Sequence, residues 1–469
     1  MNDKPFIHML KSRYGYYFFD VNMNEVVSIS EETYNYLLNL MSNKIDNRLY
    51  TTMVKEEEKK LLSKGYLKSK RPSILEMTDI DNIEYYLTHR LSSILLQVTQ
   101  KCNFRCRYCP YASGNLGYHT HNSLSMDWET AKKSIDFLAL RTRDTKRINI
   151  GFYGGEPLIE YELICKCIEY SNDVFEGKIL SYSLTTNAGL LNVEYTKYLI
   201  DNNVSIFVSL DGPQEIQDKN RKHAKDGSGT FAEVYENLNR IKTELPNYYN
   251  KIRINSVMDS ADDCSKINDF FSSEIFNDSY ISVNLQTPTD KKKLYYSDAF
   301  LKNRTKDNLL FLLHKANVYN KEQMTPIAWN YYKDFLSFEE QFVSFGEIPD
   351  KTWRSGPCMP GVKKPFVTVN GKIMICEKAS DDSEALQIGS LREGFDIHKI
   401  KNICNEMKRE KCKNCWNIYN CNICQIKIDD GEKLSGELFD VECKVSCLRT
   451  EYNLKNFIAL SEVKFMDNT

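Results

Sequence analysis

The segment VTQKCNFRCRYCP, residues 98–110, places Cys102, Cys106 and Cys109 within eight residues. Thiols grouped this closely point to metal chemistry rather than to packing. A structural zinc site takes four tetrahedral ligands. This Cys-x3-Cys-x2-Cys run supplies three, with no fourth Cys or His at a short fixed spacing. A [4Fe–4S] cube has four corners, each ordinarily capped by a thiolate. Three thiolates therefore leave one corner for an exogenous ligand, and an open metal position marks chemistry rather than scaffolding.

A second group lies between residues 358 and 447: Cys358, Cys376, Cys412, Cys415, Cys421, Cys424, Cys443 and Cys447. One zinc ribbon would use four of these; eight thiols fit two clusters better. Gly371, five residues before Cys376, predicts a hairpin that presents its thiol. Cys165, Cys167, Cys264 and Cys404 match no ligand spacing and are expected to act as small buried hydrophobes.

The elements that must position these thiols show in the periodicity. From about residue 93, short apolar or β-branched runs (93–99, 147–153, 179–186, 204–210, 251–258 and 280–285) alternate with helix-compatible stretches such as 125–140, where Ser125 or Asp127 can cap. Alternation of this kind means parallel pairing, and six units predict an α/β fold with a partial (β/α)6, TIM-like barrel. In such a barrel the chemistry sits on loops after the strands. The thiol segment follows the first run, GGEP (154–157) the second, TTNAG (185–189) the third and SLDGP (209–213) the fourth, so four unusual loops share one rim.

Before the barrel, residues 1–70 predict a small, winged-helix-like α+β unit. Residues 14–30 suggest two strands, Ser28 and Glu31 have capping-box spacing, and a charged helix over 55–67 stops at Gly65. Residues 68–77 suggest a linker, and the aromatic-rich stretch 301–350 a helical bridge to a Cys-rich domain at 351–450. His119 and His121 suggest a surface loop, and the charged run at 290–294 a solvated face.

Composition narrows the class. Of 469 residues, 42% are hydrophobic and 27% charged, enough for sizeable cores, and two or three domains are expected. A formal net charge of −2 argues against bulk attraction to nucleic acid or anionic membranes. No apolar run approaches the ~20 residues that span a bilayer, and MNDKPFIHML lacks a signal-peptide pattern, so a cytoplasmic protein is expected. Disulfides do not persist in that compartment, which leaves metal ligation for the fifteen cysteines' short-spaced groups.

With Tyr108 at the aromatic place, residues 102–109 resemble the Cys-x3-Cys-x-aromatic-Cys signature of the radical S-adenosylmethionine (SAM) enzymes, whose core would occupy residues 90–300. The resemblance implies that the open iron chelates SAM, and that one electron cleaves the sulfonium to give a 5′-deoxyadenosyl radical. It implies cofactor contacts at Gly154, Gly155 and Glu156, with Glu156 on the methionine ammonium. By similar placement it suggests Asn187 and Ser209 for ribose or carboxylate, and Arg221 for the carboxylate.

The later cysteines resemble the SPASM extension of peptide-modifying members, although Cys421 and Cys424 stand x2 apart rather than x3. That likeness implies two auxiliary [4Fe–4S] clusters: one on Cys412, Cys415, Cys421 and Cys443, the other on Cys358, Cys376 and Cys424, with Cys447 replacing Cys443 or filling a vacancy. Residues 1–70 resemble, in layout, a PqqD-like recognition element. The combination implies a maturase that installs a cross-link, a Cys thioether, in a ribosomally made precursor peptide of leader plus Cys-containing core, served by a one-electron donor such as flavodoxin or ferredoxin. The alternatives are carbon–carbon cross-linking, formylglycine formation as in anaerobic sulfatase maturation, and a non-catalytic zinc or iron–sulfur scaffold.

Overall fold

The computed structural model describes residues 4–44, 46–109, 121–276, 279–285, 296–344 and 346–466. His119 and the 290–294 run lie outside them. Six strands, Ser93–Thr99, Arg147–Gly154, Ile179–Thr186, Val204–Ser209, Arg253–Met258 and Tyr280–Leu285, pair side by side in chain order, all parallel. Pairs such as Ile94 with Ile150 and Leu96 with Phe152 set the register. These strands carry near-continuous apolar runs because parallel sheets are covered on both faces, and Ile94, Leu96, Ile150, Leu184, Ile206 and Ile254 are fully buried. Asp127, rather than Ser125, caps the helix Trp128–Ala139 by accepting from the Thr130 N–H at 2.7 Å.

The sheet does not close into a barrel. It continues past Ser93–Thr99 through Phe366–Val367, Lys372–Met374, Gln387–Ser390 and Gly394–Phe395 to ten strands. Phe366–Val367 joins in parallel, and the remaining strands follow antiparallel. The expected hairpin is present: Gly371 turns between Phe366–Val367 and Lys372–Met374 with φ +77°, a value that favours glycine. Cys376 follows directly. The Cys-rich segment thus passes through an extension of the same sheet whose Ser93–Thr99 strand leads into residues 102–109.

In the N-terminal unit the two strands expected over 14–30 are present, and a third that the sequence did not suggest precedes them. Ile7–Lys11 pairs with Tyr16–Asp20, which pairs with Glu25–Ile29. Ser30, rather than Ser28, caps Glu31–Met41, accepting from the Thr33 N–H at 3.2 Å. The charged helix runs Thr52–Ser63, and Gly65 lies beyond it at φ +91°. The supposed linker holds a short strand, Ile74–Leu75, parallel to Lys351–Thr352. Two helices, Asp298–Lys315 and Pro326–Glu339, fill most of 301–350. Cys167, Cys264 and Cys404 are buried, as small core residues should be, while Cys165 is half-buried.

Candidate active site

The thiol segment is fixed to the rim by backbone bonds. The N–H groups of Gly155 and Glu156 donate to the carbonyls of Thr99 and Lys101 at 2.9 and 2.8 Å. A Cβ on Gly154 would stand 2.1 Å from the Thr99 carbonyl oxygen, and one on Gly155 2.1 Å from that of Lys101. The close approach that needs these glycines is therefore to the cysteine-bearing chain itself. The short strand Phe104–Cys106 then pairs antiparallel with Arg221–His223, setting Cys106 opposite Arg221.

Glu156 ties three rim loops together. Its carboxylate, fully buried, accepts from the Leu158 N–H at 3.0 Å, the Thr186 hydroxyl at 2.7 Å and the Asn187 N–H at 2.7 Å. The Asn187 side chain donates to Asn103 at 2.8 Å and stands 3.7 Å from the Cys102 sulfur. Ser209 is half-buried at its strand end. Asp211, two residues on, was not singled out in the sequence. It is fully buried and receives a two-pronged ion pair from Arg221, with Nε to Oδ2 and Nη2 to Oδ1 both at 3.1 Å, together with the Tyr108 hydroxyl. A polar residue in a strand-end loop, ten positions before an Arg, was the only hint. Arg221, expected on a cofactor carboxylate, thus has its Nε and one terminal nitrogen on Asp211, with Nη1 3.8 Å from the Cys106 sulfur.

Burial pushes the Cys102 thiol up to about 12, against a lowering bond from the Phe104 N–H. Thiols held this way favour the protonated form until a metal takes the thiolate. Burial also pushes the Glu156 carboxyl up, from 4.5 to about 7, although three hydrogen bonds oppose it. A raised folded value stabilises the fold below the unfolded one, and that contribution is lost as pH rises through the folded one. In ligand-free protein, stability should therefore fall between about pH 4.5 and 7. The size is about 3 kcal/mol at the ~1.4 kcal/mol that one pH unit represents. Glu156→Gln should flatten that slope, as denaturant melts across this range would record.

The later cysteines fall into two sets. Cys376 lies within electrostatic reach of Cys358 and Cys424. Cys412, Cys415, Cys421, Cys443 and Cys447 line one cavity with Arg354, Asn417 and Phe439. Cys443 and Cys447 are one turn apart on the helix Gly436–Met466 and so share a face. Thiols are the donors that iron–sulfur groups take; the cavity is lined by five of them, and Cys376 with Cys358 and Cys424 makes a separate group of three. Among the described residues, no three His, Cys, Asp or Glu side chains converge on a single-ion site, and no helix is long and apolar enough to cross a membrane.

Comparison with known proteins agrees with this geometry. The chain is 25% identical over 293 residues to the radical SAM cyclopropyl synthase TigE of Paramaledivibacter caminithermalis, covering 54% of this chain and 59% of that protein. It is 25% identical over 349 residues to a cysteine-type anaerobic sulfatase-maturating enzyme of Clostridium novyi, covering 69% and 85%. The chain spans about half the length of the first curated relatives it matches. A solved structure of native anSMEcpe with bound AdoMet and Cp18Cys peptide shares the fold at TM-score 0.55 and 20% identity, over 78% of this chain and 99% of that one. The family model of the Radical SAM superfamily matches residues 96–259, which hold the thiol segment, the Glu156 turn and the Asp211–Arg221 pair, so the chain carries a Radical SAM domain.

Proposed function

We propose that this protein is a radical SAM maturase that installs a cross-link, a Cys thioether, in a ribosomally made peptide. One observation carries the reading. The Phe366–Val367 strand, whose hairpin leads to Cys376, lies directly beside Ser93–Thr99, the strand that leads into the thiol segment. That adjacency supports a common space for the three-thiol segment at 102–109 and the set formed by Cys376, Cys358 and Cys424. The first would hold a cluster that chelates SAM; the second, short of a fourth thiol, would hold an auxiliary cluster able to take a substrate thiolate. Bound there, the clusters and SAM supply a 5′-deoxyadenosyl radical and an acceptor for the second electron. The chain's own part is to hold Cys102 through Asn187, to lock the rim loops around the thiol segment through Glu156, and to keep Arg221 opposite Cys106.

The leader would dock on the N-terminal sheet. Its Ile7–Lys11 strand lies against the Cys-rich part: His8 stacks on Trp416 with ring centroids 3.8 Å apart, and the nearby Tyr17 hydroxyl donates to Glu462 at 2.7 Å. Glu25–Ile29 is the other edge of the sheet, where an extended peptide can add as a fourth strand. A second reading, formylglycine formation, is favoured by the 85% coverage of the Clostridium novyi enzyme.

The test is anaerobic reconstitution with iron and sulfide, then SAM, dithionite and short Cys-containing precursor peptides, followed by mass spectrometry. The thioether reading expects 5′-deoxyadenosine, loss of two hydrogens and loss of one alkylatable thiol, with weaker turnover of leaderless peptide. Loss of two hydrogens with the thiol still alkylatable would replace it by carbon–carbon coupling. Formylglycine on a sulfatase peptide, with precursors unchanged, would replace it by the second reading.

A further inference from the structure

Arg354 is a buried cation, 3% exposed, on the wall of the five-thiol cavity. Its Nη1 donates to the Cys421 sulfur at 3.4 Å, while Nε and Nη2 have no hydrogen-bond partner among the described residues. Its guanidinium sits 5.0 Å from the Phe439 ring centroid and 5.6 Å from that of Trp353. Neighbouring backbone holds it there. The Ser355 N–H donates to the Ile418 carbonyl at 3.2 Å, and the Gly356 N–H to that of Cys421 at 2.7 Å. A guanidinium left with two unpartnered nitrogens in an apolar pocket is costly unless negative charge lies beside it. The thiols around it supply that charge only as thiolates, the form in which they bind metal.

We propose that Arg354 is the charge-compensating residue of an iron–sulfur cluster bound by thiols of this cavity, and that it holds the cluster's reduction potential up. A cluster with thiolate ligands is anionic, and one-electron reduction adds a further negative charge. A fixed positive charge in a low-dielectric wall favours the reduced state more than the oxidised one. Hydrogen bonds to the ligand sulfurs act in the same direction. The role is one of positioning and tuning, and it rests on the auxiliary-cluster reading above.

The test uses full-length protein in a Cys102/Cys106/Cys109→Ala background, so that only auxiliary clusters titrate. Redox titration followed by electron paramagnetic resonance should move one signal to more negative potential in Arg354→Gln. The expected change is at least tenfold in the reduction equilibrium, ~59 mV for one electron. Arg354→Lys, which keeps the charge, should recover much of it. Metal-free Arg354→Gln should melt at a higher temperature than its parent, because an uncompensated charge is gone. If Gln abolishes loading and Lys restores it, the charge role also stands. An unchanged potential in loaded Arg354→Gln, or loss of cluster in both variants, overturns it. If Cys412/Cys415→Ala leaves the iron content unaltered, the failure belongs instead to the cluster reading.

Discussion

Replacing Cys102, Cys106 and Cys109 together by Ala should abolish 5′-deoxyadenosine formation while leaving the fold intact. The segment does not depend on its thiols for its course. The Gly155 and Glu156 N–H groups bond to its carbonyls, the Gln100 N–H donates to the Leu124 carbonyl at 2.9 Å, and Phe104–Cys106 is paired to Arg221–His223. Each truncation removes a single sulfur atom, so the voids left are small. Melting of the metal-free variant should stay within about 1–2 kcal/mol of the parent. Reconstituted iron should fall by one cubane, about 4 of ~12 atoms if three clusters are present. Iron analysis, circular dichroism and a dithionite-driven SAM cleavage assay make the comparison in one preparation. Undiminished cleavage in the triple variant would remove the basis of the proposed activity.

Much of this arrangement was legible before the structure because it is written in short-range patterns. The spacing of Cys102, Cys106 and Cys109, the alternation of apolar runs with helices, and Gly371 ahead of Cys376 are each local signals. What was hidden depends on chain segments meeting. Phe366–Val367 is two residues long, too short to show a period, yet it joins the Cys-rich part to the sheet. Ile7–Lys11, IHMLK, has no clean alternation, and its pairing with Tyr16–Asp20 defines it as a strand. Gly154 and Gly155 suggested ligand contact, but the atoms that exclude a Cβ belong to Thr99 and Lys101. Arg354 stands in KTWRSGP with nothing beside it to suggest a cavity of thiols. Most of these contacts join segments far apart along the chain, where no short window contains both partners.

Asp211→Asn should be among the most destabilising single changes outside the core, by about 3–5 kcal/mol, because it strips a buried cation of its counter-charge. Asp211 is fully buried and Arg221 is 6% exposed, so water cannot replace the lost partner. The carboxylate also accepts from the Tyr108 hydroxyl and from the Val257 N–H at 3.2 Å, so one substitution loosens the Cys106 strand, the Tyr108 turn and the Arg253–Met258 strand together. Burial alone would lower the Arg221 guanidinium; the adjacent Asp211 charge overrides it and holds the group well above its ordinary value. Removing both charges avoids the orphan, so Asp211→Asn with Arg221→Gln should cost less than the two single losses added together, a coupling that denaturant melts of the four proteins measure. Additive losses would mean that the two side chains act independently. The pair would then be a bystander to Cys106 rather than the clamp that holds its strand against the rim.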